Sequence, residues 1–294
     1  MSPHSHLLLD GRNTLGECCF EDPRDGCLWW TDIEGKQAFR LANEETLTVY
    51  PLPDRACFIL PRESDGFVVG FPKQIVLANQ DLTAFTPICT LEEDLPHTRC
   101  NDGDVEPSGG IVFGTYNEHP DPEERGAISS FYHLSSAGVL TRILGGVRTS
   151  NGTAFSVDGS TMYLTDTPVG TLRRFDISAG LPAFNEFDPL ASKDVAPGLP
   201  DGGTVDSRGN YWSARVWGSC IACISPDGNL LQTIDVPTPG PTCVALGGRD
   251  RRRLYITSLR KKRRPDDSDP PAHAGGLYVA DVEIPGLPQR LSRL

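Results

Sequence analysis

TSNGTAFSVDGSTMYLTDT, residues 149–167, sets an Asn-Gly pair well ahead of a strand-like run that closes on Thr-Asp-Thr. Between them lies a turn rich in Ser, Asp and Gly, so the stretch reads as a turn followed by a strand. Segments of the same kind recur along the chain as PRDGCLWWTD, RESDGFVVGF, EPSGGIVFGT, DSRGNYWSAR and GGRDRRRLYITS. Anchored on Trp30, Val69, Phe113, Tyr163, Trp212 and Tyr255, the spacings are 39, 44, 50, 49 and 43, with a mean of 45 residues. A repeat of that length fits one four-stranded propeller blade, and almost no 3.6-period apolar stripe competes with it. Six units would fill roughly 270 residues. The expected fold is therefore all-β: a six-bladed propeller with four-stranded antiparallel blades around a central channel. It forms a single domain over residues 1–294, with a short unstructured N-terminus of about five residues. Two unrelated β-sandwiches are the alternative architecture.

Charge and composition narrow the function. With 39 acidic against 27 basic residues the net charge is −12, which repels phosphate backbones and anionic lipid surfaces. A nucleic-acid or membrane partner is therefore not expected. His6-Leu7-Leu8-Leu9 is too short for a secretory apolar region, and no run approaches the roughly 20 apolar residues of a membrane span. The odd count of nine cysteines points to free thiols in a reduced, cytoplasmic protein.

The phase of the repeats locates a site. Asn151 lies 12 residues before its anchor, Asn101 lies 12 before Phe113, Asp201 lies 11 before Trp212, and Glu17 lies 13 before Trp30. The same count in the other two repeats reaches Cys57 and Cys243. In a propeller the first strand of each blade lines the channel, so these positions converge on one axis from different directions. Carboxylates crowded together favour protonation unless a cation sits between them. Glu17, Asn151 and Asp201 form an oxygen-only set suited to one divalent ion such as Ca²⁺, Mg²⁺ or Mn²⁺, and Zn²⁺ also accepts carboxylates. Three protein ligands leave positions for water and substrate. Taken singly, NDG, SNG and PDG are also ordinary turn sequences.

LGE at 15–17, WWTDI at 29–33, RCNDG at 99–103, FGT at 113–115, SNG at 150–152, MYLTDT at 162–167, LPDGGTVDSRGNYW at 199–212 and LYITS at 254–258 occur in an order that resembles the gluconolactonase and regucalcin family, also called senescence marker protein-like. The resemblance runs from about residue 12 to the end. It implies a six-bladed propeller with one divalent metal in its channel, acting on sugar lactones. It matches Glu17, Asn151 and Asp201 to the family's metal ligands and Arg99 and Asn101 to its substrate-contacting pair. After LGE this chain has Cys18-Cys19-Phe20 in place of the usual Gly-Pro, which alters that channel wall. Its GTYNEHPDPEERG loop is its own, with Tyr116, Glu118 and His119 as expected substrate contacts and the loop as a candidate lid.

The expected reaction is opening of a gluconolactone-, arabinonolactone- or galactonolactone-type ring, with Arg99 and the metal stabilising charge on the carbonyl oxygen and Asp201 as general base. A propeller esterase or phosphotriesterase and a non-catalytic calcium-binding module are the alternatives. Serine-hydrolase, zincin, Walker and dinucleotide motifs are absent from the sequence. The six histidines lack ligand spacing and read mostly as surface residues; Cys220-x-x-Cys223 reads as two core cysteines. Arg249, Arg251, Arg252, Arg253 and RKKRR at 260–264 form a basic cluster, read as a solvated loop of the last blade. A sharper reading has it guiding an acidic or sulfonated lactone to the mouth. The chain is expected to be a monomer or weak homodimer.

Overall fold

Each repeat folds into four antiparallel strands because its apolar residues alternate and its Gly-containing turns close hairpins. A computed structural model describes residues 4–262 and 266–294. Its 24 strands, numbered β1–β24 along the chain, form six four-stranded sheets arranged in a ring, and among the described residues there is no α-helix. The innermost strands are β2 (Gly16–Glu21), β6 (Phe58–Pro61), β10 (Thr98–Val105), β14 (Ser150–Phe155), β18 (Leu199–Val205) and β22 (Pro241–Gly247). They open blades 1 to 6 in that order. All six anchor residues fall on second strands and all six are buried.

The ring closes through β1 (His6–Leu9), which pairs with β24 (Leu277–Asp281) as the outer strand of blade 6. Just before it, the Ser5 N–H donates to the Asp235 carbonyl, 2.9 Å away, and Ser5 is buried. Residues 1–3 lie outside the described residues. Six apolar clusters hold the ring, one between each pair of neighbouring blades. Trp29 packs on Phe67 between blades 1 and 2 (4.8 Å between ring centroids), and Tyr163 on Tyr211 between blades 4 and 5 (5.3 Å). Trp30, Phe39, Cys243 and Tyr255 share the cluster between blades 1 and 6. Each large side chain buried in this way contributes roughly 1.5–3 kcal/mol.

A tail strap completes the end of the channel where the inner strands finish. From blade 6 it crosses blade 5 at Asp206 and Gly286, sets the Arg290 Nη2 to donate to the Ser156 carbonyl of blade 4 (3.1 Å), and bonds Arg293 N to Gly109 O of blade 3 (2.7 Å). Ser292 N then donates to Pro61 O of blade 2, at 2.8 Å. No helix of the described residues is long and apolar enough to cross a membrane.

NDG, SNG and PDG each lie inside an inner strand, as their shared phase implied, and not in turns. One reading changes here. His133 is not a surface residue: it is buried in β12 (Ser129–Leu134) with its Nε2 3.6 Å from the Glu106 carboxylate. Cys220 and Cys223 are buried free thiols in β20 (Cys220–Ile224), as their strand spacing implied.

Candidate active site

The inner strands do not run evenly past their partners. In β2, β10, β14, β18 and β22 the register slips by one residue, between Glu17 and Phe20, Cys100 and Gly103, Asn151 and Ala154, Pro200 and Gly203, and Pro241 and Val244. Five β-bulges thus sit at one level of the channel wall, where the extra residue bends the strand and re-aims its side chain. The β6 strand pairs without a shift, and Cys57 lies just before it.

Register also resolves a one-residue offset. Glu17 and Asn151 stand opposite Thr31 and Thr165, at the first position of their bulges. Asn101 and Asp201 follow Cys100 and Pro200, which stand opposite Thr115 and Arg215, and so occupy the second position. Hairpins of unequal length conceal this difference in the sequence count. At that second position blade 4 carries Gly152 (φ +66°) and blade 1 carries Cys18 (φ +50°), both left-handed. Cys18 is held there by its Sγ, which lies 3.2 Å from both the N–H and the carbonyl of Ile59.

The Thr-Asp-Thr closing the opening stretch braces the Asn151 bulge. Asp166 accepts the N–H groups of Arg148 (3.1 Å) and Thr149 (3.0 Å) as the chain enters β14, and Asn151 Nδ2 donates to Thr167 Oγ1 at 2.8 Å. Asp32 does the same for Thr14 (2.8 Å) and Leu15 (3.0 Å) before Glu17. In VDSRGNYW the buried Asp206 accepts from Arg208 N, Asn210 N and the Trp212 Nε1, so that motif shapes a hairpin far along the blade from Asp201.

The polar residues form a connected array. Arg99 is buried; its Nη1 donates to Asn101 Oδ1 (2.7 Å) and to Cys100 O (2.7 Å), and its guanidinium lies over the Tyr116 ring at 4.9 Å. Asn101 Nδ2 donates to Asn151 Oδ1 (3.0 Å) and Ser150 O (2.8 Å). Arg99 Nε donates to Glu118 Oε2 at 3.1 Å. His119 turns elsewhere, edge-on to His97 (4.3 Å) and toward Asp121. Its loop folds on itself, with Asn117 Nδ2 donating to Gly126 O at 2.9 Å and Arg125 Nε to His119 O at 2.7 Å.

Electrostatics single out the carboxylates. Burial, then the facing Asp201 and Asp102, push Glu17 well above the ordinary carboxylate range, against the pull of Arg99. Burial and then Asp102 push Asp201 up in the same way. Asp102 is itself raised to about 6 by burial, against the Thr153 N–H, which donates to its Oδ2 at 2.8 Å. The donors at hand for Glu17 and Asp201 are the N–H groups of the next residues, Cys18 and Gly202. Carboxylates repelling one another without a cationic partner at contact distance are the chemistry a divalent ion relieves. Among the described residues no three His, Cys, Asp or Glu side chains group to hold a metal. Burial pushes Cys57 up to about 11 and Cys243 well above the ordinary thiol range, so both stay neutral thiols. A cavity of about 60 Å³ lies further along the channel, lined by Cys18, Asp102, Asp104, Cys243, Leu287 and Gln289.

Sequence reasoning passed over Arg55, Glu34 and Asp102. Asp102 stands in the same NDG as Asn101, and Arg55 two residues before Cys57. The basic cluster is not one patch. Arg253 opens β23 (Arg253–Ser258) at the end of the blade remote from the bulges, where it pairs with Glu44 and Asp281. Lys261 follows the other end and pairs with Glu34 at 2.9 Å. Arg263 and Arg264 lie outside the described residues.

The family model described as "SMP-30/Gluconolactonase/LRE-like region" matches residues 15–260. An L-arabinolactonase from Azospirillum brasilense is 38% identical over 96% of this chain and 93% of its own. A 6-deoxy-6-sulfogluconolactonase from Pseudomonas putida is 33% identical, covering 95% of each. The crystal structure of a calcium-binding protein, regucalcin, from Agrobacterium tumefaciens superimposes with a TM-score of 0.88 at 27% identity, covering 100% of this chain and 98% of that one. The chain belongs to the SMP-30/gluconolactonase/LRE-like family.

Proposed function

We propose, from membership in a family that contains sugar lactonases, that this protein is a divalent-metal-dependent hydrolase of an aldonolactone. The observation that carries the reading is the ring of bulges that brings Glu17 and Asp201 into each other's field beside the Asn101–Asn151 pair. Glu17, Asn151 and Asp201 would hold the cation. When bound, the ion supplies charge that polarises the ring carbonyl and acidifies water.

The chain's own residues do the rest. Arg99, fixed by Asn101 and Glu118 and stacked on Tyr116, stabilises negative charge developing on the carbonyl oxygen. Asn101 and Glu118 orient ring hydroxyls. Asp201, ionised in the cation-loaded protein, takes the proton from the attacking water. The C–O bond of the ring breaks, the ring oxygen takes up a proton, and the open hydroxy acid leaves. Among the described residues Arg55 and Arg99 face Glu118, Lys261 faces Glu34, and Lys262 faces Asp269, a pairing that favours a neutral lactone over a sulfonated one.

Acid release on five- and six-membered sugar lactones, with metal-stripped protein and each divalent ion restored in turn, tests the reading. Stripped protein should be inactive, one ion should restore turnover, and Asp201→Ala should lower kcat/KM by at least about 100-fold with that ion. Full activity of Asp201→Ala, or faster turnover of a phosphotriester than of any lactone, would refute it.

A further inference from the structure

Glu118 is gripped from a neighbouring blade. Arg55, on the segment that leads into blade 2, donates from Nη2 to Glu118 Oε1 (2.7 Å) and from Nη1 to Glu118 Oε2 (2.8 Å). Arg99 Nε adds a third bond to Oε2 at 3.1 Å. A paired guanidinium–carboxylate fork fixes the plane of the carboxylate as well as its charge. Oε1 keeps a free lone pair, and Glu118 stays 28% exposed, so one acceptor remains for a ligand hydroxyl. Arg55 Nη1 lies 3.9 Å from Glu34 Oε1 of blade 1, and Glu34 meets Lys261 of blade 6. Lys261, Glu34, Arg55, Glu118, Arg99, Asn101, Asn151 and Thr167 thus make one polar chain that reaches from blade 6 through blades 1, 2 and 3 to blade 4.

We propose that Arg55 is a positioning residue that sets which lactones the site accepts, by holding the Glu118 carboxylate where it takes a hydrogen bond from a ring hydroxyl remote from the carbonyl. The proposal rests on the lactonase reading. Arg55 touches neither the Glu17–Asp201 pair nor Asn101, and without it Arg99 keeps its bonds to Asn101 and Cys100 and its place over the Tyr116 ring. Its removal frees Glu118 to follow Arg99 alone, and a ligand hydroxyl then meets an acceptor of undefined direction. Discrimination suffers when a site built to bond a hydroxyl loses that geometry.

The experiment compares a pentonolactone with its deoxy analogue lacking the hydroxyls away from the ring ester, in wild type, Arg55→Met and Arg55→Lys, with KM, kcat and thermal melting measured for each. Arg55→Met should raise KM for the pentonolactone at least tenfold, leave its kcat within threefold, and leave KM for the deoxy lactone unchanged. Arg55→Lys, which keeps the charge and loses the fork, should fall between, at three- to fivefold in KM, and it carries the test if the Met variant does not fold. Equal effects of either variant on both lactones, or a Lys variant identical to wild type, would overturn the proposal. Wild-type protein that opens neither lactone would remove the lactonase reading and this inference together; wild type that opens both while the variants treat them alike removes this inference only.

Discussion

Asp102 sits in the channel beside Glu17 and Asp201 and takes no part in the proposed ligand set, so replacing it isolates the electrostatic load that the site places on the fold. Burial raises its carboxyl from 3.8 to about 6. Because the folded value is the higher one, the charged form is disfavoured in the fold. The penalty is absent below the unfolded value, builds between 3.8 and 6, and is complete above 6. At pH 7.5 it costs about 3 kcal/mol, and at pH 4 only a small fraction of that. Asparagine can still accept the Thr153 N–H through its amide oxygen. Asp102→Asn in chelator should therefore melt about 5 °C above wild type at pH 7.5 and within about 1 °C of it at pH 4. The same variant should bind the activating cation about tenfold more weakly, since a nearby negative charge is gone. Calorimetric melting in chelator across pH 4–8, with cation titration at pH 7.5, measures both effects. Equal melting temperatures at pH 7.5, or an advantage that persists undiminished at pH 4, would refute the reasoning.

Gly152→Ala forces a side chain into the left-handed bulge, where its Cβ would meet the Tyr211 hydroxyl at 2.8 Å and Thr165 at 3.0 Å. It should cost about 1–3 kcal/mol of stability and lower cation affinity and turnover at 25 °C, whereas a stable variant with full activity would show that the bulge does not set the site. Deleting residues 290–294 removes the bonds from the strap to Ser156, Gly109 and Pro61 and that from Arg62 Nε to Leu294 O. At about 1 kcal/mol for each, the melting temperature should drop by several degrees, and an unchanged melt would mean that the strap bears no load.

The propeller is legible in the sequence because each blade repeats one packing task. The second strand of every repeat faces a neighbouring blade on both sides, so its anchor is always a buried aromatic or β-branched residue that recurs every 39 to 50 positions. The strap has no such constraint. PGLPQRLSRL carries no alternation, and it is held at separate points, by backbone groups of Gly286, Ser292 and Arg293 and by the Gln289 and Arg290 side chains. His133 hid for a related reason: a single contact inside the wall of a blade leaves no periodic trace, and Glu106 lies 27 positions away in sequence.

The positions that face the channel were legible to within one residue, and the remaining offset has a physical source. Counting back from the second strand crosses a hairpin whose length differs among blades, so residues at one sequence distance stand at two positions of the bulge. That offset matters chemically. Glu17 and Asn151 stand at the first position and Asn101 and Asp201 at the second, so side chains enter the channel at two heights from four directions. Oxygen donors displaced in this way can enclose an ion, where a flat ring could only encircle it. Asp102 and Arg55 stayed hidden because each acts across a blade boundary, on Glu17 and Asp201 in one case and on Glu118 in the other. Repeat spacing reports which positions face the axis. It is silent on which neighbours they meet there, and that pairing decides the charge of every group in the site.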